Sequence, residues 1–151
     1  MFATPGYNVR PLEMSGAIGL EQLKKWPDIM QTRNLNAHHF ISQFAGKSWC
    51  RIQHTTGTSS WFTFGMVLTG ELKGRRAEVV AALDRAGIQN RPLASRNFLR
   101  QPVMRDLDYI DNHDYSAADD IHDNGFFVGN GSKDIRSNID HMLAVIQGVV
   151  Q

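Results

Sequence analysis

Leu12, Met14, Ala17, Ile18, Leu20 and Leu23 fall on nearly every side of one helix, and that distribution constrains the fold more than any other feature of the chain. A surface helix of a globular protein carries one apolar stripe and a polar back. A helix that is apolar all round has to be covered on several sides. A chain of 151 residues holds one domain with a real core, but hardly a second layer to wrap such a helix. Ser15, Gly16, Ala17 and Gly19 are small enough for another backbone to come close, so a second subunit or a further domain is the expected cover. The helical pattern continues to Phe44, and Pro27, lacking an N–H, divides it at Trp26-Pro27. After the break, Met30, Ala37, Phe40, Ile41 and Phe44 recur on a single stripe.

The rest of the chain alternates between strand and helix periods. Residues 50–54 read as a short strand, and residues 61–68 as a better one, with Phe62, Phe64, Met66 and Leu68 on one face. Val79, Val80, Leu83 and Ala86 keep helical spacing up to Gly87, the usual residue for a left-handed C-terminal cap. Residues 88–91 read as a strand, 90–98 as an irregular loop rich in donors, and 126–128 as a last strand. Ser132 is the expected N-cap of a closing helix marked by Ile135, Ile139, Met142, Leu143 and Ile146. This order predicts an α+β domain, helices packed on a small sheet.

Composition removes several function classes. With 16 Lys plus Arg against 15 Asp plus Glu, no general nucleic-acid surface is expected, and any anion site has to be local. Cys50 is the single cysteine, so no internal disulfide can form. No apolar run resembles a signal peptide or a membrane span, and a cytoplasmic location is the default expectation.

Asn8 and Arg10 stand immediately before Pro11, a residue suited to the first position of a helix. Free backbone N–H groups, the positive end of the helix dipole, an amide and a guanidinium then converge, which is the chemistry a phosphate requires. The same residues also describe an ordinary helix start. His113, Asp114, Asp119, Asp120, His122 and Asp123 lack the glycine-centred loop and terminal Glu of a calcium loop, and no metal site is expected there. His38 and His39 point apart on one helix and cannot share a metal. Trp61, Phe62 and Phe64 read as core residues of a strand.

Five segments carry a resemblance to a known family: GYNVRPLEMSGAIGLEQLKK at 6–25, SSWFTF at 59–64, GIQNRPL at 87–93, NFLRQPVM at 97–104 and NGFFVGN at 124–130. Together they resemble the StrS/DegT-type sugar aminotransferases and dehydratases, which use pyridoxal or pyridoxamine phosphate on nucleotide-linked keto sugars. The likeness is greatest to the 3-dehydratase branch, which acts on GDP-4-keto-6-deoxymannose or the equivalent CDP-glucose derivative. Aminotransferases of the family carry a His-Tyr pair and a later His where this chain has Arg91-Pro92 and Asn97-Phe98.

The resemblance implies the small C-terminal domain of the type I aminotransferase fold. Residues 1–46 would be interface helices joining a cofactor domain that this chain does not contain, and residues 47–151 the small α+β domain. It implies a homodimer whose cofactor site is shared, with Asn8 reaching the cofactor phosphate of the other subunit and Tyr7 and Arg10 beside it. No catalytic residue is expected in this chain. None of Lys24, Lys25, Lys47, Lys73 and Lys133 lies in a segment like the one that carries the Schiff-base lysine, and the start at Met1 looks internal or truncated. Arg91, Ser95 and Asn97 would contact a nucleotide-linked 4-keto-6-deoxy sugar, since a diphosphate favours guanidinium donors and a sugar hydroxyl an amide. His122 would face the substrate entrance. Arg96 is a departure, because the family pattern has glycine before the Asn. The implied reaction is loss of the C3 hydroxyl in deoxysugar (O-antigen lipopolysaccharide) biosynthesis. Amino transfer to the same sugar, or a non-catalytic dimerisation and ligand-binding module, are the alternatives.

Overall fold

The computed structural model describes Gly6, residues 12–110 and residues 114–151. The described residues form five α-helices and one four-stranded antiparallel sheet, with α1 apart from the sheet, so the α+β expectation holds. The first two helices, α1 (Glu13–Leu23) and α2 (Trp26–Phe44), part where expected, with Pro27 in the first turn of α2. There its missing N–H leaves no helical bond unmade. Strands β1 (Cys50–Ile52), β2 (Thr63–Leu68), β3 (Asn90–Pro92) and β4 (Gly125–Gly129) lie in the order β1-β2-β4-β3. Helices α3 (Arg76–Arg85), α4 (Ser116–Asn124) and α5 (Arg136–Val150) complete the chain. Among the described residues no helix is long and apolar enough to cross a membrane.

One face of the sheet makes the core. Phe64 lies opposite Val128 and Met66 opposite Phe126, and side chains at paired positions project to the same side. They meet Ala37, Phe40 and Phe44 of α2, Val79 and Leu83 of α3, and Ile139, Met142 and Ile146 of α5. The Phe40 ring stacks on Phe64 at 4.4 Å and on Phe44 at 4.8 Å. Each such ring contributes about 1.5–3 kcal/mol by leaving water. α3 ends in a Schellman turn: Gly87 at φ +73 donates its N–H to the Asp84 carbonyl and Ile88 donates to Leu83. The glycine stop was therefore readable from the sequence.

Two expectations about elements need correction. β2 begins at Thr63, and Phe62 is 70% exposed rather than core. Trp61, itself buried, has φ +47, and this left-handed residue breaks the alternation before the strand starts. α5 starts at Arg136, four residues beyond the expected cap Ser132. The N–H of Ile135 is taken by Asn36 Oδ1 at 3.1 Å and that of Arg136 by Asp134 Oδ1 at 3.1 Å, so the capping groups come from elsewhere.

The second face of the sheet positions the loop after β3. α4 covers β2 and β4 on that side. A Cβ on Gly125 would meet the Ile121 carbonyl oxygen at 2.4 Å and Leu93 Cδ1 at 2.7 Å. Only glycine lets α4 and residue 93 press this closely on the strand.

Candidate functional site

β3 is an edge strand, and Arg91 stands opposite Phe127 in its register. Beside this edge lies a groove of about 390 Å³ lined by Arg33, Phe62, Arg91, Phe127 and Asn130. The exposed Phe62 ring has the Arg33 guanidinium 5.3 Å from its centroid, a cation–π arrangement. Arg33 Nε is buried and lacks a hydrogen-bond partner among the described residues. A groove that holds a flat aromatic surface and two guanidiniums suits a ligand that is planar at one end and anionic at the other.

The Phe62 ring is turned into this groove by a buried amide network. Asn130 accepts from Asn36 Nδ2 at 3.0 Å and donates to the carbonyls of Arg33 at 3.1 Å and Trp61 at 2.7 Å. Its backbone N–H donates to the Phe62 carbonyl at 3.1 Å. The helix, the strand entry and the end of β4 are thereby tied at one point.

A second cavity, of about 350 Å³, opens between residues 92–102 and α4 and is lined by Ser95, Arg96, Arg100, Gln101, Pro102 and His122. Arg100 bridges to Asp123 at 2.9 Å and Asp119 at 3.3 Å. Asn97 Nδ2 also donates to Asp119, at 2.8 Å, and this bond is the main reason that the Asp119 carboxyl is held below the usual range. His122 Nδ1 is buried without a hydrogen-bond partner among the described residues. Desolvation, then the charges of Arg100 and Arg96, push the imidazole below its ordinary value, against opposing effects of Asp123 and of a backbone hydrogen bond at Asn97. The neutral form of the ring is thereby favoured.

The structure divides the residues expected to bind substrate. Arg91 belongs to the Phe62 groove, whereas Ser95 and His122 share the second cavity. Asn97 is buried, its Oδ1 accepting from the Leu99 N–H at 3.0 Å and its Nδ2 held by Asp119. Both ends of its amide serve the loop. Tyr7, Asn8, Arg10 and His113 lie outside the described residues. Sequence reasoning did not pick out Arg33, Phe62 or Arg100 as site residues. Arg100 sits within the NFLRQPVM segment, but Arg33 has no local signal, because only the fold brings α2 beside the strand entry.

The acidic stretch is spent on ion pairs: Asp119 and Asp123 on Arg100, and Asp120 on Arg51 at 3.1 Å. Among the described residues no three His, Cys, Asp or Glu side chains converge as a metal would need.

Comparison with known proteins gives this geometry a context. The model of the DegT/DnrJ/EryC1/StrS aminotransferase family matches residues 1–146. The chain is 40% identical over 147 residues to the GDP-4-keto-6-deoxy-D-mannose 3-dehydratase of Escherichia coli O55:H7, covering 97% of this chain and 38% of that protein. It is 42% identical over 147 residues to the Yersinia pseudotuberculosis enzyme of the same name, covering 97% of this chain and 37% of that one. The structure of the E. coli enzyme with bound hydrated PLP superposes with a TM-score of 0.85 at 40% identity, over 97% of this chain and 38% of that one. The chain thus spans a little over a third of the length of these relatives.

Proposed function

Because this chain belongs to the DegT/DnrJ/EryC1/StrS aminotransferase family, we propose that it supplies the C-terminal part of a nucleotide-sugar C3 dehydratase of deoxysugar biosynthesis, working with pyridoxamine or pyridoxal phosphate. The observation that carries this reading is identity of 40% and 42% across 97% of the chain to two 3-dehydratases. Bound cofactor supplies an electron-accepting ring at the sugar. The substrate in this reading is a 4-keto-6-deoxy sugar linked to GDP or CDP.

The chain's own contribution is binding and orientation. Arg91 engages the diphosphate from the β3 edge, and Ser95 and His122 face the ligand from the second cavity. Asn97 acts through the loop it pins between Leu99 and Asp119. Tyr7, Asn8 and Arg10 belong to the cofactor phosphate, across the dimer. In the same reading residues 1–46 join the cofactor domain and the partner subunit, and residues 47–151 form the small domain of the type I aminotransferase fold. The exposed apolar side chains of α1 support that division.

The test has two parts. The chain alone, given pyridoxamine phosphate and GDP-4-keto-6-deoxymannose, yields no product, whereas a full-length protein containing it releases a 3-deoxy sugar. An amino sugar as product would assign it to the aminotransferases instead. Arg91→Ala in the full-length protein raises KM at least about tenfold, the loss expected for one charge-assisted contact. An unchanged KM would remove Arg91 from the site.

A further inference from the structure

Two asparagines of this chain are followed by glycine, at Asn124-Gly125 and Asn130-Gly131. In such a pair the backbone nitrogen of the glycine can attack the side-chain amide carbon, because glycine carries no Cβ to hold that nitrogen away. The two pairs are held differently. At Asn124 both reacting ends are engaged: its amide accepts from the Gly74 N–H and donates to Asp120, and the Gly125 N–H donates to the Ile121 carbonyl at the end of α4. At Asn130 only the amide is. Gly131 is exposed and lies beyond the end of β4, and among the described residues its N–H donates to no protein acceptor. The nucleophile is therefore free. Only the Asn130 side chain is buried and held, by Asn36 at 3.0 Å and by the carbonyls of Arg33 and Trp61 at 3.1 and 2.7 Å.

We propose that Asn130-Gly131 is a site of spontaneous deamidation that the fold silences, and that reaction there in an opened chain is a one-way loss of the native state. The Gly131 nitrogen forms a bond to Asn130 Cγ and gives up its proton. The Cγ–Nδ2 bond breaks, and ammonia leaves with that proton. Water then opens the cyclic imide at either carbonyl, to aspartate or to isoaspartate. No oxidant or cofactor takes part. The leaving nitrogen is the atom that grips the Arg33 and Trp61 carbonyls, so those bonds have to break first and the reaction proceeds from the opened state. The product cannot rebuild them. A carboxylate has no hydrogen to offer, and it would stand as a buried charge against two carbonyl oxygens. Isoaspartate also adds a backbone carbon just beyond the end of β4. Those carbonyls belong to α2 and to the entry of β2, so damage at one residue unties elements that only the complete fold brings together.

The experiment holds the complete 151-residue chain at mildly alkaline pH and body temperature, with and without denaturing urea, and follows residue 130 by peptide mass mapping. Asn130 is expected to convert at least about a hundredfold more slowly in the native chain, because reaction tracks the small open population. Asn124 converts in urea as well, which shows that the denatured chain is reactive at both pairs. Gly131→Ala, whose Cβ would meet nothing nearer than the Lys133 nitrogen at 4.0 Å, keeps the parent's fold and slows the reaction in urea several-fold. Asn130→Asp refolds with a lower urea midpoint than the parent, or fails to refold, and either result supports the one-way step. An Asn130 that stays intact in urea, or that converts as fast without it, would overturn the silenced site. An Asn130→Asp chain with the parent's midpoint would overturn the one-way step.

Discussion

At the scale of single residues, the polar side chains buried among the described residues are all asparagines: Asn36, Asn97, Asn124 and Asn130. An amide brings donors and an acceptor without a charge to desolvate. Each of the four joins separate segments. Asn124, for example, accepts from the Gly74 N–H at 2.7 Å and donates to Asp120 at 2.9 Å. Removing one leaves its partners buried and unpaired, and that costs more than the bond itself contributes. Asn130→Ala should therefore lower stability by about 2–4 kcal/mol, read as a lower urea midpoint with an unchanged slope. A loss below about 0.5 kcal/mol would show that water replaces the network. None of this was legible in the sequence, where asparagine reads as a surface or ligand-facing residue. Asn97 was expected to meet a sugar hydroxyl, and its amide is given to Leu99 and Asp119.

At the scale of elements, what was legible followed from periodicity. The stripes of α2, α3 and α5, the division at Pro27 and the stop at Gly87 all rest on contacts within a few residues, which the sequence displays directly. β2 departs from its pattern because both faces are covered and because Trp61 turns Phe62 outward. The start of α5 departs because its first N–H groups are met by Asn36 and Asp134. Asp134 also grips the Arg136 guanidinium at 2.6 Å. These bonds, the side-chain one first, lower its carboxyl to about 2. A depressed acid stabilises the fold above its unfolded value of about 3.9 and loses that contribution as pH falls through its folded value. Denaturant midpoints measured from pH 5 downward should fall between about pH 4 and pH 2, and Asp134→Asn should flatten the part of that fall due to this residue. An identical profile for the variant would remove Asp134 from acid stability.

At the scale of the whole molecule, α1 is the unfinished part. None of its residues is buried, and Leu12, Met14, Ile18, Leu20 and Leu23 are exposed. Apolar surface of this extent marks an interaction site. Sedimentation of the chain should show concentration-dependent self-association, and Ile18→Asp should weaken it at least about tenfold. The melting temperature of the dissociated chain should stay the same, since α1 supports nothing in the core. A chain that is monomeric at every concentration would leave α1 to some other cover. The Asn36 network bears on how such a molecule comes to be folded. Asn36 secures the Lys133 carbonyl and the Ile135 N–H, 97 and 99 positions further along. The last helix thus takes one of its two capping groups, Asp134, from next door and the other, Asn36, across a loop of nearly two thirds of the chain. Contacts this distant slow folding. During synthesis Phe40, Phe44 and Leu83 wait for Ile139, Met142 and Ile146, so the nascent chain keeps this core open to water until the fifteen-residue helix α5 has been made.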